Sequence, residues 1–275
     1  MRTVAVSPLQ KIWYYTHRLI CGAVILFLIA PILIIIPLSF NSVPFFTYPL
    51  EGFSLRWYEE FFLTQRWQSA LSTSVLVATS VTALSTALGT PAALGLSRPK
   101  FPYRTAVLSL LITPMVVPAV ITAVAIYFFY ANVGLLNSYA GLVLAHTTLA
   151  TPFVVVAVTA TLTGFDYSLT RAASGLGATP ITVLFKIILP VILPGVASGA
   201  LFAFITSFDE VVISLFIASP EQRTLPMVMF SGIREEISPT IIAATAVLLL
   251  FSTVMLITVE LLRRRSERLR GIRKT

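Results

Sequence analysis

Six long apolar runs separated by short polar intervals set the pattern of this chain: Leu19–Phe40, Ala70–Leu96, Thr105–Tyr130, Tyr139–Thr163, Ile187–Ala218 and Thr240–Leu262. Each offers about the 20 apolar residues that a helix needs to cross a bilayer core. None alternates apolar and polar positions as membrane β-strands do. The pattern predicts an all-α polytopic membrane protein with six transmembrane helices in a single domain spanning residues 1–275. Two polar intervals carry signals of their own. Leu55–Phe62 reads as a short amphipathic helix lying on the membrane surface. Residues 165–186 read as two short helices around a glycine corner. Asp166 or Ser168 can cap the first, because a side-chain oxygen there accepts an unpaired first-turn N–H. Gly175 and Gly177 can end it, since glycine enters left-handed backbone angles without a Cβ clash. Thr179 then caps a second start, with Pro180 at the first helical position, where a missing N–H costs nothing. Such a knob, standing off a membrane, suits docking into another protein.

Composition narrows the class. The chain is 57% apolar and 11% charged, with a mean hydropathy of +0.91, and a soluble domain carries about twice that charged fraction. The largest polar interval, Asn41–Gln68, is 28 residues long, too short for a folded soluble domain without staples. No catalytic or nucleotide-binding domain fits between the spans. Cys21 is the sole cysteine, so an intrachain disulfide is excluded. The first run exceeds the core of a signal peptide and lacks a small-x-small site, and it is read as a retained span.

Basic residues orient the spans, because short cytoplasmic loops collect them. Arg2, Lys11, Arg18, Arg98, Lys100, Arg104, Arg171, Lys186 and the tail Arg263, Arg264, Arg265, Arg268, Arg270, Arg273 and Lys274 fall on one side, fifteen in all; Arg56, Arg66, Arg223 and Arg234 fall on the other. Both termini and the glycine corner are therefore expected in the cytoplasm. The net charge of +8 could indicate nucleic acid, but a basic tail directly after a span points to anionic phospholipid instead. The opposite side holds Phe45, Phe46, Tyr48, Phe53, Trp57, Tyr58, Phe61, Phe62 and Trp67, an aromatic belt, together with Glu51, Glu59, Glu60, Glu221, Glu235 and Glu236. Six carboxylates against four basic groups would suit a cationic cargo.

Polar groups within the runs are the candidate chemistry. The fifth run has 32 residues, about 48 Å as one helix against a core of about 30 Å. It must break or tilt, and Asp209-Glu210 interrupts it. A carboxylate in lipid costs several kcal/mol unless it faces water or a partner. The pair, with Phe208 beside it, is read either as an outward gate that recognises a cation or as a clamp to a neighbouring subunit. Tyr127, in the Tyr127–Tyr130 aromatic cluster, could stack an alkylammonium group, although such a cluster at a span end also serves as belt. His146 is expected to hydrogen-bond across helices rather than transfer protons. Small and hydroxylated residues from Ser72 to Thr86 predict a second span packed on several sides. Prolines in most spans, among them Pro31, Pro91, Pro118, Pro152 and Pro190, are tolerated where protein or a water-lined path satisfies the freed carbonyls.

Arg171-Ala172-Ala173, then Gly177, then Ile188-Leu189-Pro190 resembles the EAA loop of ABC importer permeases. Arg171 stands where that family usually has Glu. Gly52-Phe53-Ser54-Leu55 with Trp57-Tyr58, Thr163-Gly164-Phe165-Asp166, and Ser207-Phe208-Asp209-Glu210-Val211-Val212-Ile213-Ser214 resemble the polyamine (spermidine/putrescine) branch of those permeases. The resemblance covers roughly residues 19–262 and implies the type I ABC importer permease architecture, with Arg171, Ala172, Ala173, Gly175, Gly177, Thr179 and Pro180 coupling to the ATPase. It further implies a bacterial inner-membrane complex containing a second homologous permease, a cytoplasmic ATPase dimer and a periplasmic solute-binding protein. This chain would then be no enzyme by itself and would carry no cofactor, ATP and Mg being bound by the ATPase. In keeping with that, no Gly-x4-Gly-Lys-Ser/Thr loop occurs in the sequence. Relatives in this branch also carry opines, aminophosphonates or amino-acid derivatives, and these cargoes remain alternatives. A self-contained secondary transporter would need midplane ionisable groups and inverted repeats, and a membrane enzyme a nucleophile–base constellation; neither pattern is present.

Overall fold

The computed structural model describes residues 8–44, 49–98, 101–235 and 238–269. Several sequence-derived assignments lie outside the described residues: Arg2, Phe45, Phe46, Tyr48, Lys100, Glu236, Arg270, Arg273 and Lys274. The described chain is helical, and its longest elements are α1 (Pro8–Leu38), α3 (Gln65–Leu96), α6 (Tyr139–Leu162), α9 (Leu189–Phe208) and α12 (Pro239–Leu269). Shorter helices lie between them: α2 (Arg56–Leu63), α4 (Arg104–Val116), α5 (Ala119–Val133), α7 (Ser168–Gly175), α8 (Pro180–Val183), α10 (Val212–Ile217) and α11 (Leu225–Glu235). Five helical spans are long and apolar enough to cross a membrane, and a sixth arises if the bent pair α4–α5 counts as one.

Packing centres on α3, α6 and α9, the three helices most in contact. Lipid supplies no hydrophobic drive between helices, so close approach of backbones must hold them. Glycines provide it. A Cβ built on Gly89 of α3 would sit 2.8 Å from the Val154 Cβ of α6, and one on Gly199 of α9 would sit 2.9 Å from the Val154 Cα. Val154, Val155 and Val158 of α6 are fully buried between them, with Val77 and Val81 of α3 and Ile192 and Ala203 of α9 in the same cluster. A second, smaller cluster of Phe61, Trp67, Ala70, Leu225, Val228, Ile241 and Ala244 joins α2, α11 and the starts of α3 and α12. α1 stands apart: its apolar stretch is unburied along its length, and it touches the bundle through α12.

The third apolar run is not the straight span expected over Thr105–Tyr130. It bends by 102° between α4 and α5. Pro118 has no N–H to continue the ladder and disfavours helical angles at the residue before it; Val117 accordingly adopts φ −70°, ψ 132°. The second short helix of the glycine corner is likewise not separate. Pro180–Phe208 forms one continuous 29-residue span in which Leu184–Ile188 is a π-helical turn, with Leu189 N–H donating to the Leu184 carbonyl. Pro190 cannot bond to the Lys186 carbonyl four residues back, and the wider turn accommodates its ring.

Candidate functional site

The first candidate region is the corner between α7 and α8. Asp166 accepts from Ser168 N–H at 2.8 Å and Ser168 Oγ–H at 2.7 Å. These two donors, with Arg171 nearby, hold the exposed carboxyl below the usual carboxylate range. At the other end of α7, Ala178 N–H reaches the Ala173 carbonyl and Gly177 N–H the Ser174 carbonyl, both at 3.0 Å. This double closure is the Schellman arrangement, which needs a left-handed residue at its apex. Gly177 takes φ +83°. Gly175 does not share that role; it is the last residue of α7. Thr179 Oγ1 accepts from Thr182 N–H at 3.3 Å, with Pro180 following it.

Arg171 and Ala172 are exposed and Ala173 half-buried. The apolar side chains of the corner project outward: Leu176 is 90% exposed, Ile181 70% and Phe185 61%. Inward, the corner is tied to the bundle by buried Phe165, whose ring meets Tyr167 edge-on at 5.1 Å, and by Tyr167 OH donating to the Ser97 carbonyl at the end of α3.

The second region lies at the opposite end of the core, where α9 stops at Phe208 and α10 begins at Val212. Glu210 and Asp209 do different work there. Glu210 Oε1 accepts from Ile213 N–H at 2.8 Å, so its carboxylate caps the first turn of α10. The Asp209 carboxylate is exposed and, among the described residues, has no hydrogen bond or ion pair. Phe208 is buried; its ring stacks on Phe204 at 5.5 Å and meets Phe251 of α12 at 5.1 Å. His146, fully buried on α6, contacts Ser207 Oγ through Nδ1 at 3.0 Å and Ser214 Oγ through Nε2 at 3.1 Å. The interhelical bonding expected of His146 is thus present, with partners on both sides of the break.

Tyr127 is not brought to this cluster. It sits on α5, 40% exposed, edge-on to Phe128 at 5.6 Å, and among the described residues no hydrogen bond or ring contact joins it to Asp209 or Glu210. Its neighbour Tyr130 turns inward and is buried, while Phe128 and Phe129 face outward, as consecutive residues on a helix must diverge. Sequence reasoning did not single out Ser207 and Ser214 as partners of His146, nor Phe204 and Phe251. The available signal was the placement of two serines seven residues apart around an acidic pair.

The model of the family described as "Binding-protein-dependent transport system inner membrane component" matches residues 85–268. The spermidine/putrescine transport system permease protein PotC of Haemophilus influenzae is 33% identical over 240 residues, covering 87% of this chain and 93% of its own length. The putrescine transport system permease protein PotI of Escherichia coli K12 is 36% identical over 234 residues, covering 81% and 82%. Among solved structures, a bacterial ABC transporter involved in the import of the acidic polysaccharide alginate superposes with a TM-score of 0.71 at 15% identity, covering 94% of this chain and 98% of that one.

Proposed function

The chain belongs to the family of binding-protein-dependent transport system inner membrane components, and from that premise we propose that it is the permease subunit of an ATP-driven importer for a small organic polycation such as spermidine or putrescine. Relatives named for spermidine and putrescine transport share about a third of its residues over most of its length. The observation that carries the cargo class is Asp209: an exposed carboxylate with no described partner, at a helix break and next in sequence to Phe208, whose ring packs with those of Phe204 and Phe251. Unpaired negative charge at such a break suits an alkylammonium group, which gains a charge-assisted hydrogen bond there. Glu210, engaged as a cap, contributes field rather than direct contact.

The same reading assigns the α7–α8 corner to the ATPase. Arg171, Ala172, Ala173, Gly175, Gly177, Thr179 and Pro180 form its surface, and the exposed Leu176, Ile181 and Phe185 are the apolar groups that a cleft in the ATPase dimer would bury. Movement of that dimer would reach the path through α9, continuous with α8 in one span. ATP and Mg belong to the ATPase, and this chain carries no cofactor. A second homologous permease would complete the path and a periplasmic solute-binding protein would deliver cargo. The fifteen-to-four asymmetry of basic residues supports a bacterial inner-membrane protein with both termini cytoplasmic and inner-leaflet anionic phospholipid against its tail.

Asp209→Asn tests the cargo reading. Loss of a charge-assisted hydrogen bond is worth about 1.5–3 kcal/mol. Half-saturating putrescine in reconstituted vesicles should rise roughly tenfold to a hundredfold, with the complex assembled and basal ATP hydrolysis retained. Dissociation of the subunits at unchanged putrescine affinity would instead make the residue an intersubunit clamp.

A further inference from the structure

α10 is six residues long, well below the length at which a helix holds itself together. Its position therefore depends on the rest of the chain: Ile213 and Ile217 are buried in the main core cluster, and hydrogen bonds set its orientation. Three are present besides the Glu210 cap: Asn137 N–H donates to the Ile217 carbonyl at 3.0 Å, His146 contacts Ser214, and Ser214 Oγ–H donates to the Glu210 carbonyl at 3.3 Å. α9, on the other side of the break, is held to the same imidazole through Ser207.

Counting protons fixes the direction of the last of these bonds. The Glu210 carbonyl can only accept, so the single hydroxyl proton of Ser214 goes to it. His146 contacts both hydroxyls, Ser207 Oγ through Nδ1 and Ser214 Oγ through Nε2, and which ring nitrogen donates follows its tautomer. The result is a continuous series, Ser207, His146, Ser214 and the Glu210 carbonyl, in which each bond polarises the next. It begins two residues before Asp209 and ends on the backbone of Glu210.

We propose that His146 is the positioning residue of the acidic pair: by holding Ser207 and Ser214 at once, it fixes α10 against α9 so that Glu210 stays on its cap and Asp209 stays free for cargo. The proposal rests on the cargo reading given above for its transport consequence, but its geometric content stands apart from it. His146 touches no cargo; it acts through the two helices whose ends carry the carboxylates.

Two substitutions split the imidazole. Asn places its amide near Nδ1 and keeps the Ser207 bond, whereas Gln reaches the Nε2 position and keeps the Ser214 bond. Because α10 is the element that cannot hold itself, His146→Asn should be the more damaging. In the assembled complex, half-saturating putrescine should rise about two- to tenfold in His146→Asn, the range of one lost neutral hydrogen bond, with maximal uptake and basal ATP hydrolysis within about twofold; His146→Gln should stay near the parent. A second readout needs no cargo. With Cys21→Ser and Asp209→Cys as background, the rate of labelling by a membrane-impermeant thiol reagent should change on adding His146→Asn and stay put on adding His146→Gln. Unchanged labelling and unchanged half-saturation in His146→Asn, while Asp209→Asn still weakens uptake, would overturn the positioning role and leave the cargo reading intact. No effect of Asp209→Asn would sink the cargo reading, and the labelling rates alone would then decide the positioning. Loss of assembly in both His146 variants would make the residue a structural brace and overturn the proposal.

Discussion

The α7–α8 corner and the α9–α10 break both interrupt a helical path, yet they are held by opposite means. The corner is closed by its own backbone: two carbonyls of α7 accept from Gly177 and Ala178, and the cap on α8 comes from Thr179 beside it. Its side chains are left outside, with Leu176 almost fully exposed. The break has one local closure, the Glu210 cap, and is otherwise held from afar, by His146 on α6 and Asn137 ahead of it. A locally closed turn keeps its shape whatever its neighbours do and can carry a push as a rigid body. A turn held by distant side chains keeps its shape only while the helices around it stay in register, which is what a gate requires.

The comparison breaks most sharply at Gly177. A β-branched residue at φ +83° is strained by about 1–3 kcal/mol, although no atom lies within 4 Å of where its Cβ would be. Gly177→Val should abolish most cargo-stimulated ATP hydrolysis while insertion, and labelling at position 209, remain as in the parent. Normal coupling in that variant would show that the corner is not the transmitting element. A smaller effect is expected at Thr179→Ala, where loss of the cap costs about 1 kcal/mol; faster amide exchange should appear at Thr182 and fade before the π-helical turn. The smallest concerns pH. The Asp166 carboxyl is held below its ordinary value by the Ser168 donors, so its capping contribution is complete above an ordinary aspartate value of about 4 and is lost as pH falls through the depressed value. Acidification should loosen the first turn of α7, read as amide exchange at Ser168–Arg171, and Asp166→Asn should remove that dependence. The His146 variants should be silent in this assay.

What was legible in the sequence follows the same division. Asp166, Gly177, Thr179 and Pro180 announce the corner because capping and left-handed closure act over three or four residues. The pairing of His146 with Ser207 and Ser214 spans 61 and 68 residues, and nothing in the local pattern of α6 specifies which helix its imidazole meets. Prolines were only half readable. Pro31, Pro91 and Pro152 lie inside continuous helices, whereas Pro118 turns the chain by 102° with Val117 before it extended. The acidic pair was visible as a break, but not the division of labour within it, since capping by Glu210 depends on α10 starting at Val212.

The bare surface of α1 bears on how the molecule is assembled as it is made. α1 is the most apolar of the spans and α3 the least. Of these spans α1 is made before the others and is thus one that lipid alone can accept, and the helix it packs on, α12, is made after them. α3 is in the opposite position: it packs on α6 and α9, with Gly89 close against Val154 of α6, and neither helix exists when it emerges. Bilayer entry of α3 is then a provisional state, completed some sixty residues later when α6 arrives, and the nascent chain is most vulnerable to capture by quality control in that interval.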